Sequence, residues 1–207
     1  MKVILINGSP NAKGCTATAL GIVAKELEMN GVDTEIVHIG NKDIRGCIGC
    51  YKCREKGRCV FDNDMVNELA PKLEQADGLV VGSPVYFAGP NGTLTNLLDR
   101  LFFSTPFSKR MKAGAAVVSA RRAGTTAALD RLNKYFQLAE MPVVSSRYWN
   151  MVHGTSPEEV MQDEEGVQIM RVLGRNMAFL IRAIAAERER GGMPEVEPKR
   201  ISTNFIR

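Results

Sequence analysis

The apolar positions of this chain fall into two kinds of stretch. Some are short continuous runs; others are longer segments in which apolar residues recur every three or four positions. Lys2-Val-Ile-Leu-Ile6, Gly78-Leu-Val-Val-Gly82 and Ala115-Ala-Val-Val-Ser119 are of the first kind and predict strands buried on both faces. Asp33-Thr-Glu-Ile-Val-His-Ile39 follows an Asn30-Gly31 helix stop and predicts a strand with two unlike faces. Pro142-Val-Val-Ser-Ser146 predicts a fifth strand. Helical spacing covers residues 15–27, 65–75, 91–103 with Asn91 as its cap, 125–138 and a long final segment, 163–190. In that last segment Ile169, Met170, Leu173, Met177, Leu180, Ile181 and Ile184 make one core-facing stripe. Residues 40–64, 83–90 and 147–162 predict irregular connections.

Five strands that alternate with helices predict an α/β fold, with a parallel sheet, helices on both faces and right-handed crossovers. Ligands of such sheets sit beyond the carboxyl ends of the strands, near the switch in strand order. Three loops leave those ends, 8–16, 83–90 and 119–124, and all are rich in Gly, Ser, Pro or Arg. Their agreement points to a nucleotide-like ligand.

The first of these loops, Asn7-Gly-Ser-Pro-Asn-Ala-Lys-Gly14, runs straight into a helix at Cys15. Unpaired backbone N–H groups and the positive end of the helix dipole converge at such a junction. Neither G-x-G-x-x-G nor a Gly-Lys-Ser/Thr triplet occurs. A hydroxyl-rich loop of this kind suits a phosphate monoester such as that of FMN; the alternative is an ordinary strand-to-helix turn. Beyond the third strand, Pro84, Val85, Tyr86 and Phe87 offer an apolar wall, and Arg121 or Arg122 a positive charge, as a flavin ring requires. Simple loop packing and a solvated arginine pair are the competing readings.

At 207 residues, one domain over 1–190 is expected, followed by an extended arm over 191–207 that carries Gly-Gly and two prolines. A net charge of +4 and a pI near 8.8 are too weakly basic to argue for nucleic acid, and no apolar run is long enough to span a membrane. The chain enters a strand almost at once, without the pattern of a signal peptide, so a cytoplasmic protein is expected. There its five cysteines are not expected to form structural disulfides.

Four of the cysteines form a compact set in the 41–64 loop, Cys47-x2-Cys50-x2-Cys53-x5-Cys59, while Cys15 lies apart. Gly46, Gly49 and Gly57 permit the tight turns that would bring the sulfurs inward. Structural zinc prefers two knuckles separated by a longer spacer, and this spacing is closer to iron–sulfur ligation. An iron–sulfur cluster, zinc and metal-free thiols all remain open from the spacing. His38 reads as a surface residue at a strand end.

Gly8-Ser-Pro-Asn-Ala-Lys-Gly-Cys-Thr16, Gly82-Ser-Pro-Val-Tyr-Phe87 and Trp149-Asn-Met-Val-His-Gly154 together resemble the NADPH-dependent FMN reductases of the flavodoxin-like fold. The four-cysteine loop resembles that of iron–sulfur flavoproteins within that group. The resemblance spans roughly residues 1–185 and implies a five-stranded flavodoxin-like domain. It implies that Ser9, Asn11, Gly14, Cys15, Thr16 and Ala17 hold the FMN phosphate, although the family often has Ser, Asn or Gly where Cys15 stands. Ser83, Pro84, Val85, Tyr86 and Phe87 would line the flavin ring, and Ser119, Ala120, Arg121 and Gly124 would close its pyrimidine side. A 4Fe–4S cluster would sit on Cys47, Cys50, Cys53 and Cys59. His153 falls where the family approaches a neighbouring subunit's flavin; a loop histidine without a catalytic role is the other reading.

The leading expectation is an FMN-dependent oxidoreductase that passes electrons from NADPH or NADH through flavin N5 to a second acceptor: flavin, a quinone, an azo compound or the cluster. No side chain need act as a proton donor. A homodimer or homotetramer is expected to complete the site. A second expectation is an iron–sulfur electron carrier fed by a ferredoxin; a third is a flavin-binding or zinc-stabilised module without turnover.

Overall fold

The computed structural model describes residues 1–40, 42–198, 201 and 203. Strand β1 (Lys2–Asn7) lies inside the sheet, with a strand on either side, and its side chains divide between two cores. Ile4 and Ile6 point to one side, Val3 and Leu5 to the other, as the two-residue period of a strand requires. Helices α1 (Cys15–Met29) and α7 (Glu164–Glu189) cover the second side with Leu20, Val23, Leu173 and Met177. The first side is covered by α3 (Val66–Gln75), α4 (Gly92–Ser104) and α5 (Thr125–Leu138), through Leu69, Leu97, Leu101, Leu132 and Phe136.

The parallel sheet has the order β2-β1-β3-β5-β6, with β2 at Asp33–His38, β3 at Gly78–Tyr86, β5 at Ala113–Ala120 and β6 at Met151–His153. Its five parallel strands and two-sided helical cover match the expected α/β architecture. The chain steps outward from β1 to β2 and returns to β3 on the far side, so strand order switches between β1 and β3. A sixth strand, β4 (Gly89–Pro90), is a two-residue antiparallel return on β3.

Two connections differ from the sequence expectation. The 83–90 segment is a hairpin, because β3 continues to Tyr86 before turning at Phe87 and Ala88. Both turn residues have positive φ, 50° and 59°, the geometry that matches strand twist in a two-residue hairpin but is usually given to Asn or Gly.

The fifth strand is also displaced. Pro142–Ser146 contributes only a bridge from Val143 to Gly114, and the true edge strand is Met151–His153, paired with Val118–Ala120. The chain pairs briefly with the start of β5, loops outward, and returns to its end. Asn176 Nδ2 donates to Ser145 O at 2.9 Å and Ser146 Oγ to Ile169 O at 2.7 Å, so α7 holds the detour. The expected irregular stretch 147–162 thus contains β6 and also α6 (Pro157–Gln162), which Ser156 caps by accepting from Glu159 N. Residues 191–198 form neither helix nor strand, and Arg110 donates to Pro194 O and Glu195 O. The rest of the expected arm, save residues 201 and 203, lies outside the described residues, as does Asn41 of the cysteine loop.

Candidate functional site

At the end of β1 the chain bends through a chain of local hydrogen bonds. The buried Asn7 side chain accepts from Ser9 N at 3.0 Å, and Ser9 Oγ accepts from Asn11 N at 3.1 Å. Ser9 O lies 2.9 Å from His38 Nε2, which donates to it. His38 is therefore half-buried and braces the loop, where a surface residue was expected. Asn11, Ala12 and Lys13 are exposed, and α1 starts after Gly14 with no side-chain cap. Among the described residues, the backbone N–H groups of Cys15, Thr16 and Ala17 have no acceptor. Three free donors at the positive end of a 15-residue helix form an anion site.

Two further loops close on this one. Gly8 N donates to Gly82 O at 2.8 Å, tying the exit of β1 to the middle of β3. Thr16 and Ser119 share a buried hydroxyl–hydroxyl hydrogen bond of 2.8 Å, which ties α1 to the end of β5. Gly124, at φ 93°, approaches the hairpin so closely that a Cβ there would stand 2.9 Å from Ala88 Cα and 3.0 Å from Val85 Cγ1. The expected site residues Ser9, Asn11, Gly14, Cys15, Thr16, Ala17, Pro84, Val85, Tyr86, Phe87, Ser119, Ala120, Arg121 and Gly124 thus flank one shelf at the switch point. Ser83 stands apart in role: it is buried, its hydroxyl donates to Pro84 O at 2.8 Å, and it accepts from Asn91 N at 2.8 Å. It holds the hairpin together. Tyr86 and Phe87 are exposed, Phe87 completely, and Arg121 is exposed as well.

Beyond the shelf, the Cys15 thiol lies 3.6 Å from Gly154 O, and burial pushes it up from its ordinary range. It is a neutral packing group set apart from the other cysteines. His153 N donates to Asp163 Oδ2 at 2.7 Å, and its ring stands 3.8 Å from the same oxygen. Asn150, which the sequence reading did not single out as a site residue, is buried with Oδ1 lacking any partner, while Nδ2 donates to Val144 O.

The four clustered cysteines lie on the outer side of α4. Gly49 and Gly57 both take φ 63°, and Gly57 ends the one-turn helix α2 (Cys53–Lys56), as the glycine spacing led us to expect. Cys47, Cys50, Cys53 and Cys59 all line one small cavity together with Arg100 and Phe103. Arg100 is 1% exposed and organises the loop. It pairs with Asp64 and donates to Arg45 O, to Phe61 O and, at 3.3 Å, to Cys59 Sγ. The sulfurs face one space without yet converging: among the described residues, no three Cys, His, Asp or Glu side chains are grouped to hold a metal ion.

A parallel sheet in this order, with an uncapped helix start and two further loops meeting at the switch point, defines a flavodoxin-like α/β protein with a phosphate-ready shelf. The chain belongs to the NADPH-dependent FMN reductase family, whose profile matches residues 1–156. It is 33% identical over 195 residues to an iron–sulfur flavoprotein of Methanocaldococcus jannaschii, covering 89% of this chain and 99% of that protein. It is 28% identical over 160 residues to the NADPH-dependent FMN reductase of Escherichia coli, covering 77% and 74% of the two. A WrbA-like flavodoxin from Agrobacterium tumefaciens shares the fold, with a TM-score of 0.60, 15% identity, and coverage of 88% and 97%. Family membership makes this chain a flavin oxidoreductase and FMN its flavin. No helix among the described residues is long and apolar enough to cross a membrane.

Proposed function

We propose that this chain takes electrons from NADPH or NADH through FMN bound on the β1–β3 shelf and delivers them to a second, small acceptor. The observation that carries this reading is the set of three acceptorless N–H groups at Cys15, Thr16 and Ala17, beside the hairpin wall. They would hold the phosphate, with the Ser9 hydroxyl free to donate outward and the Asn11 side chain at the rim. Pro84, Val85, Tyr86 and Phe87 would carry one edge of the ring. Gly124 would offer a backbone donor on the other side, beside Ala120, where Arg121 adds positive charge. Bound FMN would supply hydride acceptance at N5. The exposed Tyr148–Trp149 pair, 4.7 Å between ring centroids, supports a homodimer or homotetramer. Five free cysteines suit a reducing cytoplasm.

Flavin released by heating should chromatograph as FMN, and the anaerobic yellow protein should bleach on addition of NADPH or NADH. FAD as the main species, or no bleaching by either nucleotide, would overturn the reading.

A second reading is favoured by the four thiols that line one cavity: an electron carrier with a 4Fe–4S cluster, fed by a ferredoxin-type partner. Closing on a cluster would draw the sulfurs together. Protein purified anaerobically should then contain iron and sulfide. Cys47→Ser, Cys50→Ser, Cys53→Ser and Cys59→Ser should each lower the iron content with FMN retained, and Cys15→Ser should not lower it. Iron-free anaerobic protein that still oxidises NADPH decides for the plain reductase.

A further inference from the structure

One sizeable cavity among the described residues is not on the shelf. Helices α4 and α5 begin at the carboxyl ends of strands and run back, so their last turns lie at the opposite edge of the sheet. There a cavity of about 660 Å³ opens between the cysteine loop, the last turns of both helices and the 105–112 connection. That size is within the range of small-molecule sites. Its walls are aromatic: Tyr51, Phe102, Phe103 and Tyr135. Cys47, Tyr51 and Phe103 also line the cysteine cavity, so the two spaces share a wall.

One cation lines this apolar space. Lys109 is 7% exposed, its ammonium lies 4.6 Å from the Phe107 ring centroid and 5.7 Å from that of Phe102, and it has a single long hydrogen bond, 3.4 Å to Phe107 O. An ammonium has three donors, so two are unspent. The acidic group of the wall, Asp99, is already engaged: it accepts from the Tyr135 hydroxyl and lies 3.5 Å from Arg131. A buried cation with idle donors, ringed by aromatic side chains, lacks a counter-charge.

We propose that this cavity is a second small-molecule site, separate from the flavin shelf, that takes a flat aromatic molecule of one or two rings bearing an oxyanion, with Lys109 as its counter-charge. The aromatic walls receive the rings, and the idle Lys109 donors receive the oxyanion.

Burial, and secondarily the neighbouring Lys112, lower the Lys109 pKa from 10.5 to about 8. The groups facing it from the packed elements are Asp99 of α4, Tyr135 of α5, Cys47 and Tyr51 of the cysteine loop, and Lys112 of its own connection. Burial also lowers the Lys112 pKa, and burial with the Asp99 hydrogen bond raises that of Tyr135. Lys109 is therefore charged at pH 7 and loses its charge as pH rises through about 8. Between about 8 and 10.5 Lys109 binds a proton more readily in the unfolded chain than in the folded one, so its own contribution to stability rises with pH over that window.

The test is calorimetric titration of the full chain at pH 7 with 2-naphthoate, and with the neutral 2-naphthalenemethanol. One naphthoate should bind per chain. Lys109→Met should weaken naphthoate about tenfold or more and leave the alcohol unchanged. It should also flatten the rise of stability above pH 8, which reports that the variant is folded. Tyr51→Ala, at an exposed wall position, should weaken both ligands. Naphthoate binding should fade above pH about 8. Absence of naphthoate binding to the wild type, including through coverage of the cavity by a second copy, overturns the proposal. So does naphthoate affinity that is unchanged in Lys109→Met.

Discussion

Gly8→Ala is expected to lower FMN affinity at least about tenfold while leaving the protein folded. Gly8 is where the exit of β1 touches the middle of β3, through its N–H to Gly82 O. A Cβ at Gly8 would stand 2.8 Å from that same oxygen and 2.9 Å from Leu94 Cβ. The oxygen belongs to the buried middle of β3 and cannot rotate aside, so the 8–14 loop must part from β3. Overpacking of this kind costs about 1–3 kcal/mol, which the fold tolerates. The proposed FMN site would not: the N–H groups at 15–17 proposed for the phosphate and residues 84–87 proposed for the ring wall sit on the two segments being separated. Gly21→Ala is the control, because a Cβ at Gly21 of α1 meets nothing within 4 Å. That change should stabilise the helix by about 0.5–1 kcal/mol and spare the flavin. Fluorimetric FMN titration of both variants, with thermal melts, checks this; wild-type affinity in Gly8→Ala would show that the two segments move independently.

Arg100→Met should cost about 3–5 kcal/mol in urea unfolding, more than any exposed ion pair of this protein. Arg100 and Asp64 have side chains only 1% and 3% exposed. Removing the arginine strands a buried carboxylate and also frees the carbonyl of Arg45, while Phe61 O keeps only Asn67 Nδ2. The double variant Arg100→Met/Asp64→Leu should recover much of the loss, since an apolar pair can replace a buried ionic one at little cost. The single variant should also speed the reaction of the loop cysteines with a thiol reagent, because Arg100 joins Cys59, Phe61 and Asp64 to α4. FMN should remain bound, as the shelf is built from other segments. A loss below about 1 kcal/mol would mean that water reaches the pair and screens it.

The failures of the sequence reading have a common cause. Pro142–Ser146 has the composition of a strand, but what a strand pairs with is set by its neighbours, and β5 offers its end to Met151–His153 instead. The three residues of β6 are too few to show a period. A cap signal did exist for α6 in Ser156-Pro157-Glu158-Glu159, a hydroxyl cap followed by proline at the first helical position. Ser83 looked like a ligand residue because a hydroxyl in a Gly-Ser-Pro stretch carries no mark of whether it faces a ligand or its own backbone.

What the sequence determined by itself was local: strands, helices, their alternation, the helix start at Gly14-Cys15 and the thiol spacing. Each is written within a few residues and follows from period, small residues and covalent reach. Only the tertiary structure decided which of these local features meet. It set Thr16 against Ser119, Gly124 against the hairpin tip, and Arg100 beneath Cys59. It also buried Lys109 among phenylalanine rings. The chain does not mark Arg100 and Lys109 apart from its other cations, because charge is a property of the residue, whereas burial belongs to everything packed around it.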